Sequence, residues 1–203
     1  VPYDSSPAAL RRACEDSLRR FGVDHIDLYQ IHRPDMFTHP AALAATLLAL
    51  RDEGKIGSVG VSNFTPAQTT ALLAHLGPVG LVATQPEFSA AALGPLRDGT
   101  FDLCMERGIV PLAWSPLAGG RLMTGERVRP ELLAALDTIA AREETTRDVV
   151  ALAFVLAHPS APVAIIGTQN PDRMRAATAA LAVGLDRTDV YAIVQASEGA
   201  PLP

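Results

Sequence analysis

The feature that most narrows the choice of fold is a strict alternation of β-rich runs with helix-patterned segments. Runs rich in β-branched and apolar residues begin at Ile26, Ile56, Leu81, Ile109 and Val163, giving spacings of 30, 25, 28 and 54 residues. Helical spacing fills the intervals, and the last interval is long enough for two helices. The first helix is expected over 7–21: Ser6 caps it, Pro7 takes its first position, Leu10, Cys14, Leu18 and Phe21 share one face, and Gly22 stops it. Further helices are expected through Leu43, Leu47 and Leu50 to Gly54, from a capping box at Thr65 and Gln68, and over 95–107, 131–142, 147–158, 171–182 and 189–196.

Strand, helix, strand in strict order implies a parallel sheet with helical crossovers. Its two common forms are an open doubly wound sheet and a closed (β/α)8 barrel. The open dinucleotide-binding form carries G-x-G-x-x-G after its first strand, and neither that string nor G-x-x-x-x-G-K-[ST] occurs here. The barrel is therefore favoured. Without linker, low-complexity tract or longer repeat, residues 1–203 read as a single domain, an incomplete one, because five strands cannot close a barrel of eight.

Charge removes other function classes. A net charge of -5, with no Lys/Arg run, provides no field to gather nucleic acid or anionic lipid. The most apolar stretch, 41–50, is too short to span a bilayer, and the opening Val1-Pro2-Tyr3-Asp4 lacks a basic segment followed by an apolar one. The expected location is the cytoplasm. Cys14 and Cys104 stand far apart in helical segments and read as buried free thiols. His25, His39, His75 and His158 read as surface or helix-end residues, and no histidine pair has a metal-ligand spacing, so no metal is expected.

Each expected strand ends in polar or aromatic residues: Gln30 and His32, Ser62-Asn63, Gln85 and Glu87, Trp114-Ser115, and Gly167-Thr168-Gln169. In a parallel barrel these ends meet on the face that holds the active site. The physical chemistry suits a nicotinamide cofactor. Ser62, Asn63 and Gln85 can match the donors and acceptor of a carboxamide, and Trp114 can stack on the ring. The loop Ser115, Pro116, Leu117, Ala118, Gly119, Gly120 can bring backbone N–H groups to a pyrophosphate, with Arg121 beside it. Gly167, Thr168 and Gln169 lead to a helix start at Asn170-Pro171, where N–H groups and the helix dipole favour an anion, and Arg173 adds a guanidinium fork.

The strings Asp27-Leu28-Tyr29-Gln30-Ile31-His32, Gly54-Lys55-Ile56, Gly60-Val61-Ser62-Asn63-Phe64, Gln85-Pro86-Glu87, Ala113 to Gly120 and Ile165-Ile166-Gly167-Thr168 follow one another along nearly the whole chain. In order and spacing they are similar to motifs of the aldo-keto reductases. The resemblance implies the last five βα units and C-terminal helix of such a barrel. It implies an NADP(H)-dependent oxidoreductase reducing aldehydes or ketones, with hydride passing from the nicotinamide to a small-molecule carbonyl. His32 would orient and polarise that carbonyl, and Arg173 would meet the adenosine 2′-phosphate. A catalytic Tyr, Lys and Asp would lie upstream of Val1, so these residues alone are not expected to form a closed, active barrel. Its strands at Ile26 and Val163 would be edges, and Leu28, Val61 and Val82 would face the barrel interior. Ala176 and Ala177 depart from the Glu and Asn that many members use for adenine, which implies a different or looser contact there. The alternative is a non-catalytic nicotinamide-binding module, a sensor or subunit of the same fold. Substrate identity and oligomeric state are open at this level.

Overall fold

A computed structural model describes residues 3–201. Val1 and Pro2, on which the reading of the chain's opening partly rests, lie outside the described residues, as do Leu202 and Pro203. The chain folds into two compact units, residues 1–85 with 102–109, and residues 86–101 with 110–203.

The first unit is built from α1 (Pro7–Phe21), β1 (Ile26–Ile31), α2 (Pro40–Asp52), β2 (Ile56–Ser62), α3 (Pro66–Leu76) and β3 (Ala83–Gln85). Local chemistry sets the helix ends. Ser6 Oγ accepts from Ala9 N, and Gly22 takes the left-handed conformation that closes α1 at φ 68°. Thr65 and Gln68 form the reciprocal capping box of α3. The strands are parallel, with Ile26 opposite Ile56, Gln30 opposite Gly60, and Ile31 opposite Val61; on the far side of β2, Gly60 faces Ala83 and Ser62 faces Gln85. Ile31, Val59 and Val61 pack into one buried cluster with Leu10, Cys14 and Leu18 of α1, Leu43, Leu47 and Leu50 of α2, and Leu72 and Leu76 of α3. Alternation then places Leu28, Gln30, Gly60 and Ser62 on the opposite sheet face. Val61 therefore packs under the helices, contrary to the expectation from sequence. Val82 precedes the shortened third strand and is exposed.

The second unit carries β4 (Val110–Trp114) and β5 (Val163–Ile165), parallel, with Trp114 opposite Ile165. Around them stand α5 (Arg121–Thr124), α6 (Pro130–Arg142), α7 (Arg147–Leu156), α8 (Pro171–Ala177) and α9 (Arg187–Glu198). Its core centres on Phe88, whose ring meets Phe101 edge-on at 4.7 Å and Phe154 at 5.8 Å, with Leu122, Leu132, Leu136 and Ile193 in the same cluster. Helix α9 starts earlier than its apolar pattern predicts because Asp186 and Asp189 form a second capping box.

Two expected helices are broken. The segment 95–107 is a 3-10 turn at Gly94–Leu96, a left-handed Gly99 at φ 86°, and α4 (Thr100–Arg107), whose first N–H is taken by Asp98 Oδ1 at 2.8 Å. The segment 171–182 is α8 followed by a 3-10 turn, Thr178–Ala182; the Thr178 hydroxyl donates to Arg175 O at 2.7 Å, a local bond of the kind that competes with helix continuation. Cys14 and Cys104 are buried free thiols. Among the described residues no helix is long and apolar enough to cross a membrane, and no group of three or more His, Cys, Asp and Glu is placed to hold a metal ion.

Candidate functional site

In the first unit, His32, Ser62, Asn63 and Gln85 come together at the C-terminal ends of β1, β2 and β3. The chain leaves β2 through Asn63 at φ 59°, a left-handed turn that a short amide side chain tolerates. That turn lets Asn63 N donate to Gln85 O at 3.1 Å, while Asn63 Nδ2 donates to Ser62 Oγ at 2.8 Å and to His32 O at 3.2 Å. The Ser62 hydroxyl donates to Gln85 O at 2.9 Å. Ser62 is buried, so its donor is spent inside the knot, and its contribution is to hold Asn63 and Gln85 rather than to reach outward. The His32 side chain is exposed, and the Gln85 side chain is half-buried.

A strand-end residue to which the sequence assigned no role joins this knot. Gln30 Nε2 donates to Gln85 Oε1 at 3.1 Å. The signal was present as a polar residue one step before the last of β1, but nothing local says that its side chain crosses to a strand two places away.

In the second unit, Trp114 ends β4 and is held on both sides: its N–H donates to Pro86 O at 3.0 Å and its carbonyl accepts from Phe88 N at 3.3 Å. Four positive φ values follow in six residues: Ser115 at 50°, Ala118 at 53°, Gly119 at 65° and Gly120 at 89°. Gly119 and Gly120 are thus demanded by the backbone, and a Cβ at either would meet no protein atom within 4 Å. Pro116 is buried and Leu117 half-buried, so the loop is anchored from below. Arg121 is tied in place by Nε donating to Ala118 O at 2.9 Å, and its terminal nitrogens make no ion pair among the described residues.

Beyond β5, Gly167 has neither a positive φ nor any protein atom within 4 Å of where a Cβ would sit. Neither backbone nor packing asks for glycine there, which fits an approach by something outside the chain. Thr168 Oγ1 accepts from Asn170 N at 3.2 Å, and Gln169 is exposed. The start of α8 is less open than expected, because Asn170 Oδ1 already accepts from Asp172 N at 2.8 Å and Arg173 N at 3.4 Å. Side chains then distinguish the two arginines. Arg175 is paired with Asp172 at 2.7 Å, whereas Arg173 is exposed and makes no ion pair among the described residues. The donor set of the two units, amides in the first and cationic side chains beside glycines in the second, fits the chemistry of a nicotinamide carboxamide and of phosphate groups respectively.

The remaining histidines have structural duties. His25 Nδ1 lies 2.7 Å from Gly54 O, His39 caps α2 by accepting from Ala41 N at 3.1 Å, and its ring stands 5.9 Å from that of His75. His158 is half-buried, stacked on Phe101 at 4.3 Å. A cavity of about 490 Å³ in the second unit, lined among others by Phe88, Phe154, His158, Tyr191 and Val194, contains none of the sequence-derived site residues.

Residues 1–198 match the model of the Aldo/keto reductase family. Among curated proteins, the chain is 43% identical over 204 residues to a 6-dehydroglucose reductase of Novosphingobium aromaticivorans, covering 100% of this chain and 67% of that protein. It is 37% identical over 206 residues to the oxidoreductase YcsN of Bacillus subtilis, covering 99% of this chain and 67% of that protein. Over 195 residues it is 36% identical to the oxidoreductase YdhF of Escherichia coli, covering 95% of this chain and 64% of that protein. The chain thus spans about two thirds of the length of these relatives. Among solved structures it matches the thermostable aldo-keto reductase Tm1743, determined with the inhibitor epalrestat, at a TM-score of 0.84 and 24% identity. That match covers 94% of this chain and 67% of the other.

Proposed function

Because this chain belongs to the aldo/keto reductase family, with the fold of the later part of its (β/α)8 barrel, we propose that it serves an NADP(H)-dependent reduction of aldehydes or ketones to alcohols. The observation that carries this reading is the knot of His32, Ser62, Asn63 and Gln85, in which three strand ends are cross-linked by polar groups rather than packed with apolar ones.

A bound nicotinamide supplies hydride chemistry, which no side chain can. Asn63 and Gln85 bind its carboxamide, and the buried Ser62 holds the Asn63 amide and the Gln85 backbone carbonyl. Trp114 offers a flat face for the ring. Ser115, Pro116, Leu117, Gly119 and Gly120 form the loop at the pyrophosphate, with Arg121 as its cation. Gly167, Thr168 and Gln169 make the approach to the adenosine end, and Arg173, the arginine without a neighbouring carboxylate, takes the 2′-phosphate. His32 donates from its ring to the carbonyl oxygen of a small substrate, orienting it and stabilising the charge that develops there.

The relative named 6-dehydroglucose reductase makes an oxidised sugar the first substrate to assay. The test is titration with NADPH and NADH followed by Trp114 fluorescence, then loss of reduced-nicotinamide absorbance with aldehyde and ketone substrates. Saturable binding with NADPH favoured is expected, and carbonyl-dependent turnover is expected of a protein that also carries the upstream Tyr, Lys and Asp. No binding of either nucleotide refutes the reading, and binding without turnover limits it to a cofactor-binding module.

A further inference from the structure

Gln30 stands directly opposite Gly60 in the parallel register, and Ser62, two residues on, stands opposite Gln85. To reach Gln85 the Gln30 side chain must pass over β2, and Gly60 is where it passes. A Cβ at Gly60 would come within 2.9 Å of Gln30 Cγ, 3.1 Å of Gln30 Oε1 and 3.1 Å of Ala83 O. Gly60 is not among the residues at positive φ, so its own torsions do not call for glycine; the Gln30 side chain does, together with the Ala83 carbonyl. Two positions far apart in sequence are thereby matched to one purpose, an amide bridge from β1 to β3.

The bridge has a direction. Its hydrogen bond runs from Gln30 Nε2 to Gln85 Oε1, which engages the acceptor end of Gln85 and leaves the donor end outside the bridge. Gln85 Nε2 makes no hydrogen bond among the described residues and is the end left for a ligand. Gln30 gains nothing comparable for itself. Its Oε1 is buried without a hydrogen-bond partner. An unsatisfied buried acceptor destabilises a fold, and a leucine of similar volume would avoid that cost. Stability alone gives no reason for an amide at position 30.

We propose that Gln30 is a positioning residue: it fixes the Gln85 amide so that Nε2 presents its N–H donors to the carboxamide oxygen of a nicotinamide, and Gly60 is the clearance that makes this possible. The inference rests on the cofactor reading above for its purpose, but the fixed amide is a property of the protein without any ligand.

The experiment uses the whole chain with Gln30→Leu, Gln85→Leu, the double variant and Gly60→Ala. The Gln85 side-chain amide resonance, identified by its loss in Gln85→Leu, is expected to be motionally restricted in the parent and mobile in Gln30→Leu and Gly60→Ala. NADPH dissociation constants are expected to rise about fivefold or more in each single variant, with Gln30→Leu adding nothing once Gln85→Leu is present. The melting temperature of Gln30→Leu should equal or exceed the parent's, which a structural role would not allow. An equally mobile Gln85 amide in parent and Gln30→Leu overturns the proposal, as does an affinity loss from Gln30→Leu that persists in full on the Gln85→Leu background. If the parent binds no nicotinamide nucleotide, the cofactor reading falls by itself, and the amide's mobility still decides whether Gln30 positions Gln85.

Discussion

Truncating Phe88 tests how the core of the second unit supports the end of β4. Phe88 is 1% exposed, meets Phe101 at 4.7 Å with ring planes 89° apart, and lies 5.8 Å from Phe154. Removing a fully buried Phe to Ala costs about 3 to 5 kcal/mol, made up of lost transfer energy and the cavity left behind. An edge-to-face pair adds about 0.5 to 1.5 kcal/mol beyond area. Phe88 also lines the cavity of about 490 Å³, so the new void opens into existing space and part of the cavity cost is relieved. Phe88→Ala is therefore expected to lose about 3 kcal/mol, at the lower end of that range, and Phe88→Leu about 1 to 1.5 kcal/mol, mostly the ring contacts. The chain has one tryptophan, Trp114, in the same unit and joined through its carbonyl to Phe88 N, so urea unfolding followed by its emission reads the right region. In a cycle of Phe88→Leu and Phe101→Leu the two losses should fall short of additivity by about 1 kcal/mol. A loss below about 1 kcal/mol for Phe88→Ala, or strict additivity in the cycle, would refute the central place given to Phe88.

Arg142 donates both terminal nitrogens to Asp189 at 2.7 Å and holds its carboxyl below the usual range, so the folded protein takes up that proton less readily than the unfolded chain. The pair's contribution is whole above about pH 4 and fades as pH falls through the lowered value; Asp189→Asn should thus lower the melting temperature at neutral pH, by an amount that shrinks in acid. A difference independent of pH would count against the pair. Arg173→Ala should weaken NADPH binding about tenfold or more while sparing NADH, by loss of a charge-assisted contact, and equal losses for both nucleotides would place the 2′-phosphate elsewhere. His32→Ala in the active reductase should slow turnover by about 10²-fold with little change in nucleotide affinity, and a rate within threefold of the parent would remove His32 from the reaction. Burial pushes the Cys104 thiol up to about 11, so alkylation of the folded protein at neutral pH should be slow and should become fast on unfolding; rapid native alkylation would contradict that burial.

What could be read along the chain was whatever depends on near neighbours. Ser6, Pro7 and Gly22 bracket α1, and Thr65 with Gln68 opens α3, because capping joins groups three residues apart. The βα order, the family and the polar strand ends at His32, Asn63 and Gln85 were legible for the same reason: each is a short string. Where local signals competed, the reading ran past the structure. Apolar spacing over 95–107 continues through Gly99, yet an Asp98 cap restarts the helix at Thr100. Strand register was not legible at all. It places Val61 under the helices instead of on the opposite face, spends the Ser62 hydroxyl on Gln85, and aligns Gln30 with Gly60. The last two join residues 23 and 30 positions apart through strand pairing. A one-residue slip in that pairing would send every side chain of a strand to the other face, so which polar groups meet at the site was decided only when the sheet formed.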